Sequence, residues 1–480
     1  MKVSNGFKYE INGWKYISIK GHPYERGVAH GKLLKQEIIQ STDAMKWNLY
    51  NDYGFHIDFF LLISNYIFKD VIQDKFPEFY EELNGISHGS SISLDLLVLW
   101  NNYPSLPYSM NYVKKNMHKI PNLVEKYGDV LNSLDNFGGM MEGGSKDKCS
   151  AFMAVGDYTH DGKICCTHNS FDDFITGQYF NIVIDIKPKK GNRILYQSAP
   201  GYISSQTDFF VTSNGFIGTE TTFGGFNNYK HNVPILCRIR NCMQYANTLD
   251  DYVNMLKKDN SGDYANAWLI GNTNTNEIMR IELGLEFVNV EKKKNGYFIG
   301  FNAPYDSRIR NLESVNSGFD DIRRHQGARK VRLEQLMEEH KGKINLDIAK
   351  EIIADHYDVY LEKDNKCSRT VCSHYELDAR EYMSQSDRPL PYAPRGAVDG
   401  CVVDTTLCKN MSFLGRWGSS CGTPFLVKDF MEKNIQWKRY EPYLHDRVSQ
   451  PWTLFKIGDK MKKYTRARVT KSITNKSRKK

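Results

Sequence analysis

The stretch that decides the reading of this chain is Lys148-Cys-Ser-Ala-Phe-Met-Ala-Val-Gly156, then Asp157-Tyr-Thr-His-Asp-Gly162, then Lys163-Ile-Cys-Cys-Thr-His-Asn-Ser-Phe-Asp172. Cys149 to Asp157 is apolar and alternating. His160-Asp-Gly162 is a turn signal, and Lys163 to Asn169 reads as the return strand of a hairpin. Immediately upstream, Gly138, Gly139, Gly143 and Gly144 fall within seven residues and lead into Ser145-Lys-Asp-Lys148. That is the composition of an exposed connector, so the chain changes character at this point.

Working outward, the residues before the connector read mainly as helix. A hairpin-like opening (Tyr9 to Lys20) precedes helical spacing from Val28 to Tyr50, with Leu33, Leu34, Ile38 and Ile39 on the apolar side. Further helical runs cover Ile57 to Phe68 and Phe79 to Leu83, and Ser93 is placed to cap the helix over Leu96 to Trp100. After the connector the pattern becomes paired strands. Phe180 to Ile186 pairs with Arg193 to Gln197, and Phe209 to Thr212 with Phe216 to Thr222 around Asn214-Gly215. Trp268 to Gly271 pairs with Ile278 to Leu283, and Phe287 to Val290 with Tyr297 to Phe301 around Asn295-Gly296. Helical runs at Ile239 to Ala246, Leu249 to Lys257, Ala328 to Glu339 and Leu346 to His356 lie between and after them. Hairpins interleaved with amphipathic helices, with no regular βαβ series, predict an α+β layered fold. The organisation expected is a helical region over 1–148 that stays packed on the core, a core over 149–460, and a basic tail over 461–480.

Hydrophobic residues make up 40% of the 480 and charged residues 25%, a balance that suits a folded chain with a sizeable core. The formal charge is +8, but Met461 to Lys480 hold nine Lys or Arg and no acid. Without them 55 basic residues face 56 acidic ones, so the body carries no basic stripe for specific nucleic-acid binding. The tail reads as a solvated end able to touch an anionic membrane weakly. Met1 to Phe7 precede Glu10 with no apolar run of the signal-peptide kind, and Phe59 to Phe68 is far too short to span a bilayer. Ten cysteines in so long a chain do not make a disulfide scaffold.

Candidate chemistry centres on Cys149. Scission of the Lys148–Cys149 peptide gives this thiol a free α-amine of ordinary pKa ~7.7–8.0, a built-in base near neutral pH. A thiol beside such an amine is a competent acyl acceptor. Most cysteines are simply buried, and on composition alone Cys149 reads that way too. Across the hairpin, however, the end of the return strand lies beside the start of the first, so His168, Asn169 and Asp172 approach the Cys149 sulfur. A carboxylate and a cation there suit an amine and a substrate carbonyl, although polar groups at strand ends also serve as turn caps. Gly418-Ser-Ser420-Cys-Gly422 matches G-x-S-x-G, but that motif needs a strand–turn–helix elbow on a parallel sheet, and the parallel pattern is missing. Cys367, Cys372 and His374 form C-x4-C-x-H, which fits no common zinc spacing, and no second ligand pair is evident. Cys165-Cys166 point to opposite faces of a strand. The sequence therefore nominates no metal ligand and no cofactor.

The motifs carry a resemblance. Tyr24-Glu-Arg-Gly27 with His30-Gly31, Glu82-Leu-Asn-Gly85, Lys148-Cys-Ser-Ala-Phe152 and His168-Asn-Ser-Phe-Asp172 resemble N-terminal-nucleophile (Ntn) hydrolases of the peptidase C45 type, the acyl-CoA:6-aminopenicillanic acid acyltransferases, and their phospholipase B-like relatives. Ala199-Pro-Gly201 with Ser204, Glu220-Thr-Thr222, Ala397 to Asp404 and Arg416-Trp-Gly418 with Cys421-Gly422 are similar to phospholipase B-like segments. Asp355-His356 and Cys372-Ser-His374 look like a C45 segment. The resemblance implies an αββα sandwich with a helical propeptide region and self-processing. It implies Cys149 as nucleophile, His168 and Asp172 as its supports, and Asn302 in Gly300-Phe-Asn-Ala-Pro304 as part of the oxyanion region. His168 stands where bile-salt-hydrolase-like relatives have Arg, which favours the phospholipase B-like side. The expected activity is hydrolysis of an amide or ester of an acylated, lipid-like substrate through a Cys149 thioester. A C45-type acyltransferase or amidase on a small amide, and a non-catalytic binding protein retaining the fold, are the alternatives.

Overall fold

The structure is a computed structural model and describes residues 1–133, 149–205, 208–226, 228–315, 318–379 and 392–458. The glycine-rich connector 138–148 and the basic tail 461–480 lie outside the described residues.

The strands, in chain order, are β1 (Lys2–Val3), β2 (Gly6–Ile11), β3 (Trp14–Gly21), β4 (Cys149–Gly156), β5 (Gly162–Asp173), β6 (Ile182–Pro188), β7 (Ile194–Ser198), β8 (Phe209–Thr212), β9 (Phe216–Thr222), β10 (Asn266–Asn272), β11 (Glu277–Leu283), β12 (Val288–Lys293), β13 (Gly296–Gly300), β14 (Tyr357–Asp358), β15 (Lys363–Asp364), β16 (Arg395–Ala397), β17 (Asp399–Asp404), β18 (Ser412–Trp417) and β19 (Thr453–Lys456). The helices are α1 (Pro23–Leu33), α2 (Lys35–Tyr53), α3 (Ile57–Ser64), α4 (Asp70–Lys75), α5 (Pro77–Ser90), α6 (Leu94–Asn101), α7 (Leu106–Asn116), α8 (Leu123–Ser133), α9 (Phe174–Gly177), α10 (Ile235–Tyr245), α11 (Leu249–Lys257), α12 (His325–Glu339), α13 (Leu346–Ile353), α14 (Thr405–Lys409) and α15 (Val427–Lys433).

Two sheets carry the architecture. One runs β1-β2-β3-β6-β7-β8-β9-β10-β11-β12, the other β13-β4-β5-β17-β18-β19 with β16 also on β5. All neighbours are antiparallel except β3 and β6. Strand alternation sorts the side chains of β4 into two layers. Ala151, Met153 and Val155 join the core between the sheets. Phe152 and Ala154 join a second core with Leu333, Leu336 and Met337 of α12 and Ile352 and Ile353 of α13. Glycines let the sheets approach closely. A Cβ at Gly271 on β10 would lie 3.0 Å from Met153 Sδ, and one at Gly300 on β13 would lie 2.4 Å from Thr221 Cγ2. On the far side of the larger sheet, Tyr252 of α11 packs on Phe210 and Phe216. The mixed α+β expectation holds, and the layers run helix, sheet, sheet, helix.

One expectation needs correction. Asn295-Gly296 does not close a hairpin: β12 pairs with β11 in one sheet while β13 pairs with β4 in the other. Asn295 Oδ1 accepts from the Asp157 amide (2.8 Å), its Nδ2 donates to Asp157 Oδ2 (2.8 Å), and Gly296 takes φ +127°, so this turn passes the chain between sheets. The strands β17 to β19, which flank β5 on its other side, had no reading in the sequence. The hairpin-like opening is part of the larger sheet, where β3 pairs with β2 and lies parallel to β6.

The same N-terminal region is fixed by a helix crossing that only glycine permits. A Cβ at Gly27 on α1 would sit 2.2 Å from the Glu82 carbonyl, and one at Gly85 on α5 would sit 2.2 Å from the Tyr24 carbonyl. Inside the crossing, Arg26 Nε donates to Glu82 Oε2 (2.8 Å), and Arg240 Nη2 of α10 meets the same oxygen at 3.2 Å. Burial opposes ionisation of Glu82, but Arg240 and Arg26 outweigh it and hold the carboxyl below its usual range. His30 Nε2 accepts the Gly201 amide (3.0 Å). These contacts give Arg26, Gly27, His30, Glu82 and Gly85 a shared structural role, and they tie α1 and α5 to residues beyond position 149. Replacing Glu82 with Gln removes the carboxylate that two buried guanidiniums share. A loss of about 3–5 kcal/mol is expected in denaturant unfolding, and a wild-type midpoint would contradict the assignment.

Candidate active site

Cys149 is the first residue of β4 and is 3% exposed. It stands opposite Ser170 on β5, and Ala151 stands opposite His168. By alternation Cys149, His168, Ser170 and Asp172 therefore share the face of this sheet that looks at the other sheet. The hairpin reading holds in register and puts His168 and Asp172 on the Cys149 face, but Asn169 stands opposite Ser150 and faces the other way.

The backbone of Cys149 is held from two directions. Its N–H donates to Asn302 Oδ1 at 3.3 Å, and its carbonyl accepts from Arg329 Nη1. Asn302 follows β13 in a left-handed conformation (φ +67°), donates Nδ2 to the Thr222 carbonyl (2.7 Å), and accepts the Gly224 amide at its own carbonyl (3.0 Å). Its amide thus bridges both sheets and meets Cys149 through Oδ1. Arg329 comes from α12, is fully buried, and donates also to Ser150 Oγ (3.1 Å) and Asn302 Oδ1 (2.8 Å). Ser150 N–H in turn donates to Asn169 Oδ1 (3.0 Å).

His168 does not supply the cation expected beside Cys149. It is fully buried 6.5 Å from the Phe209 ring, and burial pushes its pKa down to about 3, so the imidazole is neutral. The cation is Arg329, which the sequence reading missed. On the buried side of an amphipathic helix, Arg329 carries no local signal that separates it from the surface arginines around it. Asp172 accepts the Asp173 amide (2.7 Å) at the start of α9. Asp399, also missed, accepts the Ser170 amide (2.9 Å) and Gln197 Nε2 (2.8 Å), and burial raises its pKa to about 6.

Further polar groups lie on and beside the larger sheet. Tyr264 (φ +59°) donates to Asp208 Oδ2 at 3.0 Å. Its hydroxyl is pushed well above the ordinary value by burial, then by Asp208, Glu220 and Cys149. Glu220 Oε1 accepts from Thr222 Oγ1 (3.3 Å). Asp208 and Tyr264 line a narrow pocket together with Ile235, Leu236 and Ile239.

Ser420 has no elbow. β18 is antiparallel to both neighbours, and no helix follows until Val427. Ser420 Oγ donates to the Ile353 carbonyl (2.9 Å) and accepts from Asn169 Nδ2 (3.2 Å), a packing role.

Spacing along the chain shows no second pair beside Cys372 and His374, but the fold brings His356 and Cys421 to them. One donor atom from each of His356, Cys372, His374 and Cys421 lies within 4.8 Å of all the others. Cys367 stands apart, its sulfur 3.5 Å from Asp358 Oδ2. Cys421 is held far below the ordinary thiol range by a hydrogen bond from Cys372 and by the imidazoles of His356 and His374, against the effect of burial. Burial would depress His374, but Glu376 and Cys421 outweigh it and raise it to about 9.

The family model for phospholipase B matches residues 110–453, and the chain belongs to that family. It is 26% identical over 252 residues to a phospholipase B of Crotalus adamanteus, covering 47% of this chain and 42% of that one. It is 25% identical over 361 residues to phospholipase B-like protein C of Dictyostelium discoideum (63% and 60%), and 24% identical over 262 residues to putative phospholipase B-like 2 of Mus musculus (48% and 43%). The chain spans about half the length of these curated relatives. Among solved structures, a mutant conjugated bile acid hydrolase from Clostridium perfringens matches 56% of this chain and 89% of its own at 12% identity, with a TM-score of 0.31. Among the described residues no helix is long and apolar enough to cross a membrane.

The buried neutral His168 has a consequence for acid stability. Its folded pKa of about 3 lies below the unfolded value near 6.5, so the unfolded chain binds the proton first as pH falls. Its contribution is complete above pH ~6.5 and is lost towards pH 3, at up to about 1.4 kcal/mol per pH unit. Urea midpoints of His168→Gln should therefore fall less steeply between pH 6.5 and 4 than those of the wild type. Parallel slopes would mean that His168 is not the buried neutral group described.

Proposed function

We propose that the protein is a self-processing Ntn hydrolase that cleaves an amide or ester of a lipid-like acyl substrate through a thioester on Cys149. The observation that carries this reading is the treatment of Cys149 at the start of β4. Its nitrogen rests on Asn302 and its carbonyl on Arg329.

In the processing step the Cys149 sulfur attacks the Lys148 carbonyl carbon. The C–N bond breaks, the nitrogen takes up a proton, and water hydrolyses the resulting thioester to leave a carboxylate at Lys148 and a free amine at Cys149. In turnover that amine accepts the thiol proton, and the sulfur attacks the substrate carbonyl. The alcohol or amine leaves with the proton, and water, deprotonated by the same amine, releases the acid.

Asn302 then acts as the acceptor that orients the Cys149 amine, while its Nδ2 donates to the Thr222 carbonyl. Arg329 sets the position of the nucleophile's carbonyl and, as a fixed positive charge, favours the thiolate. Membership of the phospholipase B family supports a lipid. The nine cations among Met461 to Lys480 suit weak contact with an anionic membrane surface.

The reading is tested by intact mass and turnover of an acyl ester and an acyl amide. The wild type should give two co-purifying fragments parted at Lys148–Cys149, and Cys149→Ala should remain one chain with activity reduced about a thousandfold or more. Activity in the alanine variant would reject Cys149 as nucleophile. An active wild type of uncut mass would reject the free-amine mechanism.

A further inference from the structure

We propose that His356, Cys372, His374 and Cys421 form a structural zinc site of the Cys2His2 type. No two of these residues form a recognisable spacing with the others in sequence, yet four donor atoms of the right kind converge. His356 follows α13, Cys372 and His374 sit before a short helical turn over Tyr375–Leu377, and Cys421 is on the loop after β18. His374 Nε2 lies 3.4 Å from Cys372 Sγ and 3.4 Å from Cys421 Sγ, and all four donors fall within 4.8 Å of one another. Tetrahedral zinc, with bonds of about 2.3 Å to sulfur and about 2.0 Å to nitrogen, sets S···N separations near 3.5 Å.

The surroundings are those of a metal-bound set. His374 Nδ1 is 2.8 Å from Glu376 Oε1, the carboxylate–histidine arrangement that fixes the tautomer and aims Nε2 at a metal. His356 Nε2 is buried without a hydrogen-bond partner. Its ring is 5.2 Å from that of His374. Two thiolates and two neutral imidazoles neutralise one divalent ion, which makes a buried site affordable, and soft sulfur with imidazole selects zinc over magnesium or calcium. Cys372 and His374 are buried while His356 and Cys421 are partly exposed, which leaves an entry side. A cysteine–histidine–glutamate nucleophile at Cys421 would use one base and an open approach to its sulfur. Here a second thiol and a second imidazole occupy that space.

The site would clamp three loops behind the nucleophile strand. Ser420, next to Cys421, bonds the Ile353 carbonyl and Asn169, and Asn169 also donates to the Val371 carbonyl (3.2 Å) before reaching Ser150 through its oxygen. Zinc would thus help to hold the residue beside Cys149 without touching substrate.

The full chain, prepared with reductant and zinc and freed of loose metal by gel filtration, is measured by elemental mass spectrometry. About one zinc per chain is expected. On wild-type protein a mercurial titration should release that zinc in step with blockage of two thiols, mapped by mass to Cys372 and Cys421, and cobalt(II) exchange should give the visible bands of a tetrahedral thiolate site. Cys372→Ser with Cys421→Ser should lose the metal while Ser420→Ala keeps it. Zinc below about a tenth per chain, rapid alkylation of both thiols in the folded protein, or a Cys372–Cys421 disulfide would overturn the proposal. None of these readouts depends on hydrolase activity.

Discussion

A guanidinium taken out of water must find acceptors for its protons, and Arg329 finds them around one residue. Its donors end on the Cys149 carbonyl, the Ser150 hydroxyl and the Asn302 amide oxygen. The helix layer, the first strand of the smaller sheet and the turn after β13 therefore share a single buried charge. Asn302 extends the lock to the facing sheet through Thr222. If this web is intact, the spacing between the sheets and the attitude of Cys149 are set together. The glycines at 271 and 300 belong to the same constraint, because larger residues there would push the sheets apart at the level of the nucleophile.

A second buried charge network fastens the N-terminal region. Arg26, Glu82 and Arg240 join α1 and α5 to α10, the glycine crossing brings the two helices into backbone contact, and β3 continues the larger sheet. Residues on either side of position 148 are thus interleaved in one core. Scission at that position would leave both pieces with large apolar faces and a shared ion cluster, so they would stay together.

Much of the fold was legible because its strands alternate and its turns are punctuated by glycine. The pairs β4–β5, β6–β7, β8–β9 and β10–β11 follow from local pattern, as does the cap at Ser93, whose oxygen accepts the Leu96 amide. Asn295-Gly296 misled because turn chemistry reports that the chain bends, not which sheet it enters next. Cys149 and its face-sharing neighbours on β5 were legible because a hairpin converts sequence distance into register. Arg329, Asp399 and Tyr264 were not, because they come from elements far along the chain: the helix layer, the strand beyond β5, and the loop before β10. The convergence of His356 and Cys421 on Cys372 and His374 has the same cause. It is a product of three loops meeting, and no spacing rule along the chain contains it.

The central claim is that the acyl group passes through the Cys149 sulfur. Rapid acid quench of the protein with an activated acyl ester, followed by peptide mapping, tests it directly. The account predicts an acyl adduct, stable to acid and released by hydroxylamine, on the peptide that begins at Cys149. An adduct on Ser420 or Cys421, with Cys149 unmodified, would contradict it.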